Sequence, residues 1–248
     1  MRRRDDFLSR KISIMKKVFA ISLFVALLSV AGCNKNEVVE DEPGTISGHA
    51  YVDLHLPSGT LWASCNVGAS SPEDYGDYLA WGETEPKSMY WWDTYKHSKE
   101  VVYNEPRLTK YCFNTAYGYN GFRDYLARLQ SDDDAATVNW GERWKTPTLE
   151  QWQELVDFTT HKRKARNGVV GYEFVSDGDT LFLPMAGWLF FDSCVEADTV
   201  GCYWEYSLGN QIPCYAKTIT FDRFNYGLQE RFRCYGLPVR PVSCPSPR

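Results

Sequence analysis

From Tyr51 onward the chain is divided into apolar or alternating runs too short for helices, each bounded by Gly, Pro, Asn or Asp. Tyr51–Leu56, Thr60–Val67 and Tyr75–Trp81 read as strands, with Pro57-Ser58-Gly59 as a turn. In the carboxyl half, Val169–Val175, Thr180–Met185, Cys202–Leu208, Tyr215–Phe221 and Arg231–Val242 read the same way. Two helices interrupt this pattern. One lies around Asp133–Asn139, where Ser131 or Asp132 is placed to cap it. The other has Thr146 at its N-cap, Pro147 at the first helical position and Glu150 near the third. In it, Leu149, Trp152, Leu155, Val156 and Phe158 form an inward face running to about Thr159. The basic run His161-Lys162-Arg163-Lys164-Ala165-Arg166 then reads as the charged end of that helix and a solvated turn. Helices among many short strands, without regular β-α-β alternation, predict an α+β domain: a mixed antiparallel sheet, two flanking helices and long loops.

The amino terminus has the order of an export signal. Lys16 and Lys17 precede an apolar stretch from Val18 to Ala31, and the small residues Ala31 and Gly32 lead into Cys33. A bilayer-spanning helix needs about 20 apolar residues, which this stretch does not reach. Val30-Ala31-Gly32-Cys33 resembles a lipobox, which implies a diacylglycerol lipid on the Cys33 thiol and cleavage just before it. Residues 1–32 are therefore expected to be a signal peptide, with Met15 the more typical start. Residues 33–48, acidic around Glu40-Asp41-Glu42, are expected to be a flexible tether and residues 49–248 the domain. The expected location is the outer membrane of a Gram-negative bacterium, lipid-anchored at the cell surface.

Loss of residues 1–32 removes seven Lys/Arg and two Asp/Glu, leaving 216 residues with a net charge near −10. That balance argues against nucleic acid as a partner, since backbone binding depends on clustered cations. Seven cysteines remain besides Cys33. Export favours disulfides, while the odd number leaves at least one thiol unpaired within the chain. No C-x-x-C pair is present and no histidine stands in ligand spacing to a cysteine, so no metal site is expected.

Several segments together resemble the Fibrobacter succinogenes major paralogous domain: Tyr51-Val52-Asp53-Leu54-His55-Leu56-Pro57-Ser58-Gly59-Thr60-Leu61-Trp62-Ala63, Asn66-Val67-Gly68-Ala69, Asp74-Tyr75-Gly76-Asp77-Tyr78, Ala80-Trp81-Gly82-Glu83-Thr84, Asp133-Asp134-Ala135-Ala136 with Asn139-Trp140-Gly141, and Val239-Arg240-Pro241-Val242. Trp144-Lys145-Thr146-Pro147-Thr148-Leu149-Glu150-Gln151-Trp152 is similar to the R-x-P-T-x-x-E-W element of the wider C-type-lectin-like and formylglycine-generating-enzyme group, with Lys145 in place of the usual Arg. The resemblance implies a C-type-lectin-like domain in which the terminal strands pair, two helices flank them, and loops crowd the upper face.

Enzymes of that wider group use a cysteine-bound copper or a histidine-rich iron site. Neither can be assembled here, because His49, His55, His97 and His161 are scattered and none lies in the carboxyl sheet. G-x-S-x-G, phosphate-cradling glycine loops and H-E-x-x-H are all missing. The Glu83/Glu85 pair alone does not specify glycosidase chemistry. Tyr203-Trp204-Glu205 lacks the Asn-Asp pair of calcium-dependent lectins, Glu85-Pro86-Lys87 lies far upstream of it, and Asp132-Asp133-Asp134 is explained by helix capping. The expectation is therefore no catalytic residue and no cofactor. Recognition falls to the aromatics of the carboxyl half, which supply rigid contact area, and those in loops are the better candidates: Trp188, Phe190, Phe191, Phe224 and Tyr226. The first functional reading is a binding module for an extracellular glycan or protein. A structural or adhesive subunit of a surface assembly is the second, and an enzyme the third.

Overall fold

Two-residue turns with left-handed backbone set much of the strand pairing in the computed structural model, which describes residues 41–244. Cys33 and residues 1–32 lie outside the described residues. In chain order the strands are β1 (Thr45–Ile46), β2 (His49–Asp53), β3 (Leu61–Ala63), β4 (Ser98–Val102), β5 (Glu105–Leu108), β6 (Thr160–Arg166) and β7 (Val169–Ser176). They continue as β8 (Asp179–Pro184), β9 (Trp188–Phe190), β10 (Ser193–Val195), β11 (Gly201–Leu208), β12 (Tyr215–Phe221), β13 (Tyr226–Phe232) and β14 (Val242–Ser243). Ser47–Gly48, Tyr103–Asn104, Asn167–Gly168 and Asp177–Gly178 each carry positive φ at both positions. Such turns match the right-handed twist of strands and close the hairpins β1-β2, β4-β5, β6-β7 and β7-β8.

Every strand pair is antiparallel. One sheet, β1-β2-β3-β14, joins the last described strand to the first three. Two further sheets run β6-β7-β8 and β11-β12-β13, and β4-β5 and β9-β10 are hairpins. With two α-helices among the described residues, Ala135–Trp140 and Leu149–Asp157, the class is α+β.

Both helix starts differ from the sequence expectation, and for one reason. The buried Asp134, rather than Ser131 or Asp132, caps the first helix through the Ala136 amide, and it also accepts the Thr146 amide and hydroxyl. Thr146 is thus already committed and does not cap the second helix. Thr148 does, in a reciprocal capping box with Gln151, while the Pro147 carbonyl accepts the Tyr206 amide on β11.

The basic run His161–Arg166 is likewise β6, an edge strand, rather than a helix end: the Asn167–Gly168 turn requires a partner for β7 on its other side. Charged edge strands also resist pairing with other chains. Residues 45–46, placed in a flexible tether from sequence, form β1, because Ile46 is buried and accepts the indole N–H of buried Trp144. Tyr75–Trp81 contributes only a bridge, Leu79 to Leu237. The expected long strand Arg231–Val242 stops at Phe232 and resumes at Val242.

Asp133, next to the cap, is buried and accepts from Lys96 and Lys110 and from the Tyr111 hydroxyl at 2.7 Å, with the His97 ring 3.7 Å away. Burial pushes its pKa up, but the three donors outweigh burial and hold it at about 2. Burial, seconded by Arg233, pushes His97 down to about 4 from the ordinary 6.5. A depressed pKa in both groups means that the folded state binds fewer protons than the unfolded chain, so stability falls on acidification. Unfolding by urea between pH 7 and 4 should show a loss on the order of 3 kcal/mol from His97. A further drop should follow below pH 4 as Asp133 is protonated, and His97→Gln should flatten the first phase only.

Candidate functional site

Tryptophan divides the surface from the interior. Of nine tryptophans, Trp62, Trp81, Trp92, Trp140, Trp144, Trp152, Trp188 and Trp204 are buried, while Trp91 is half-exposed. Three buried indoles donate to carbonyls, Trp81 to Glu205 O at 2.9 Å, Trp144 to Ile46 O at 3.0 Å and Trp204 to Leu79 O at 2.6 Å, while those of Trp62 and Trp152 have no partner. Trp91 instead gathers other half-exposed rings. Phe191 stacks on it at 5.2 Å with 24° between planes, Tyr235 lies near parallel at 6.4 Å, and Phe190 and Phe232 meet it edge-on at 5.5 and 6.2 Å. The rings come from three chain segments: the turn before Trp92–Thr94, the β9-β10 hairpin, and the end of β13.

Backbone pairing fixes these segments. Tyr90 and Phe191 exchange both amide hydrogen bonds, at 2.9 and 3.2 Å, and Leu189 and Gly236 do the same at 2.7 and 3.0 Å. Gly236 has no alternative, since a Cβ there would stand 2.7 Å from the Tyr90 ring. Phe191, the first residue of the β9-β10 turn, has φ 55. Glycine is the residue that adopts this conformation freely; a bulky side chain there costs on the order of 1 kcal/mol. The turn accepts that strain with an exposed aromatic ring.

Beneath the rings lies Arg233, fully buried. Its guanidinium donates to the carbonyls of Tyr111 at 2.8 Å, Pro213 at 3.1 Å and Lys110 at 2.7 Å. Tyr95, Trp81 and Tyr111 surround it at 5.1 to 5.9 Å. Its main chain also bonds Cys214 O and Trp81 N. Four segments thus converge on the residue that follows Phe232 and precedes Cys234 and Tyr235.

The five candidates from sequence fall in three places. Phe190 and Phe191 belong to the Trp91 cluster. Trp188 is buried, its ring 4.3 Å from the Arg231 guanidinium. Phe224 and Tyr226 sit at the other end of the β12-β13 hairpin, six residues from Phe232 along β13, roughly 20 Å at the strand rise. Trp91, Phe232 and Tyr235 complete the cluster. Trp91 escapes a reading confined to the carboxyl half, although the exposed Glu85-Pro86 before it marks a loop.

Tyr203, Trp204 and Glu205 are buried on β11, whose two faces are both covered, and Glu205 accepts the Leu149 amide at the start of the second helix. The seven thiols of the described residues are free, and Cys112, Cys214 and Cys234 share one core cluster. Burial pushes Cys214 up to about 12, so it is an inert thiol rather than a nucleophile. A cleft of about 830 Å³ lies where β1 and β14 meet the second helix, lined by Ile46, Leu61 and Val242 and by Arg143 and Lys145.

Scans against protein-family models, curated proteins and solved structures gave no match to this chain.

Arg233 supplies a direct check on this construction. Arg233→Met should lower the unfolding free energy by about 3 kcal/mol or more, because three buried carbonyls lose their donor. Arg223→Met, at an exposed position, should change it by no more than about 0.5 kcal/mol in the same denaturant titration.

Proposed function

We propose that this domain is a non-catalytic recognition module of a cell-envelope lipoprotein, anchored in the outer membrane through Cys33, that holds an extracellular glycan against the Trp91–Phe191 face. A C-type-lectin-like domain suits that role, and the pairing of β14 with β3 and the two helices agree with it. The single observation behind the reading is the fate of the tryptophans: eight are buried and Trp91 alone is left at the surface, among partly exposed rings.

The strain at Phe191 supports the same reading. Glycine at the turn would relieve it, and local strain retained at a surface points to a task other than folding. Near-parallel rings offer a flat apolar face to the C–H face of a sugar at little cost in side-chain entropy. A protein ligand would engage the same rings through its own apolar side chains and is the outcome to which the reading yields if glycans fail.

The decisive experiment is a glycan and protein array probed with the purified chain and with Phe191→Gly. The substitution should leave stability within about 1 kcal/mol, since relief of strain offsets lost ring contacts. It should weaken glycan binding on the order of tenfold, about 1.4 kcal/mol. Lys145→Ala in the large cleft should leave binding unchanged. Binding that is indifferent to Phe191 but lost with Lys145 would move the site to the cleft, and binding to neither array would refute the module.

A further inference from the structure

We propose that the end of the domain opposite the Trp91 cluster is a contact surface for an anionic lipid bilayer, into whose headgroup region the Phe224 side chain inserts. Two edge strands meet there. His161 of β6 stands 5.2 Å from Tyr226 of β13, ring edge to ring face. Arg163, two residues further along β6, shares that face with His161 and lies opposite Tyr172. From β13 and its turn come Phe224, Tyr226 and Leu228, exposed by 73%, 47% and 44%.

Charge decides the kind of partner. The chain as a whole is acidic, with a formal charge of −5, yet this end gathers Arg163 and Arg223, with Lys162 on the other face of β6. No carboxylate lies within salt-bridge distance of these three among the described residues, whereas Lys164 and Arg166 on the same strand are paired with Glu173 and Glu73. The acid at the turn, Asp222, accepts the Phe224 and Asn225 amides at 2.7 and 2.9 Å and keeps its negative charge, but Arg163 and Arg223 outnumber it.

Shape decides between a bilayer and an anionic polysaccharide. Phe224 stands at the tip of a turn, with the Arg223 guanidinium 4.4 Å from its ring centre. A protruding apolar ring flanked by cations offers no groove for a shaped chain, but it suits a deformable phase with an anionic surface and an apolar interior. The tip is also held in place, since the Tyr172 hydroxyl donates to Asp222 O at 2.8 Å and ties the turn to β7. Insertion therefore needs little ordering.

Hydroxyl-radical footprinting of the full chain on phosphatidylglycerol and on phosphatidylcholine vesicles tests the proposal. Attachment through the amino-terminal segment is common to both, so the difference between them is the readout. Phe224 and Tyr226 should be protected on phosphatidylglycerol alone, and 0.5 M salt should remove the protection. Phe224→Ser should weaken the phosphatidylglycerol-specific binding on the order of tenfold, and Arg163→Gln and Arg223→Gln about fivefold each. All three side chains are exposed, and an unchanged near-ultraviolet circular dichroism spectrum would establish that the fold is kept. Equal protection on both vesicles, or protection by dextran sulfate without protection by phosphatidylglycerol, would overturn it.

Discussion

Arg233 is the constraint on which the upper part of this domain depends. A buried guanidinium without a carboxylate is costly unless its donors are used, and here Nη1 and Nη2 are used on backbone carbonyls of segments far apart in the chain, Lys110–Tyr111 and Pro213, while Nε is left without a partner. Aromatic faces at Trp81, Tyr95 and Tyr111 take up part of the remaining charge. Since those carbonyls have no other donor in place, loop and arginine hold one another. The consequence is geometric: Phe232 and Tyr235, either side of Arg233, are presented to Trp91 in fixed positions although no regular strand continues past Phe232.

The aromatic content of the chain thus serves two ends. Trp62, Trp81, Trp144, Trp152 and Trp204 fill the interior between short strands, where long aliphatic runs are scarce, and bury large areas per residue. Trp91 packs only on the margin of one core cluster, and Phe191 is held by backbone pairing with Tyr90. Phe191 makes the distinction sharpest. Its φ of 55 opposes local stability, yet the turn holds its ring at the surface, stacked on Trp91.

Much of the framework was legible in the sequence, and the failures share a physical cause. β7, β8, β11 and β12 follow from their apolar pattern almost to the residue, and both helices exist where periodicity placed them. The helix caps were misread because Thr146 has a partner in Asp134 that only tertiary structure supplies. β6 was misread because its basic, solvent-facing residues carry no apolar period; only the Asn167–Gly168 turn betrayed it. At the candidate site Phe190 and Phe191 were legible as loop aromatics. Trp188 was not distinguishable from them, since burial depends on Arg231 crossing from another strand. Trp91 and Trp92 are adjacent and identical in type, and nothing local tells which of them turns outward.

The β12-β13 ribbon links the two surfaces that the domain leaves unfilled. Its seven consecutive paired positions, from Tyr215 opposite Phe232 to Phe221 opposite Tyr226, make it a continuous ladder. Residues at one end are ordered by the Arg233 anchor and at the other by the Asp222 turn and its bond to Tyr172. Paired at both ends and backed by β11, such a ribbon resists bending, so a spacing of roughly 20 Å between Phe232 and Tyr226 is imposed by the strand rise and does not depend on loop conformation. An aromatic platform at one end and a cationic, aromatic tip at the other are then two ends of one rigid element. A domain resting on its Phe224 tip would hold the Trp91 face away from that support, with the ribbon as the spacer.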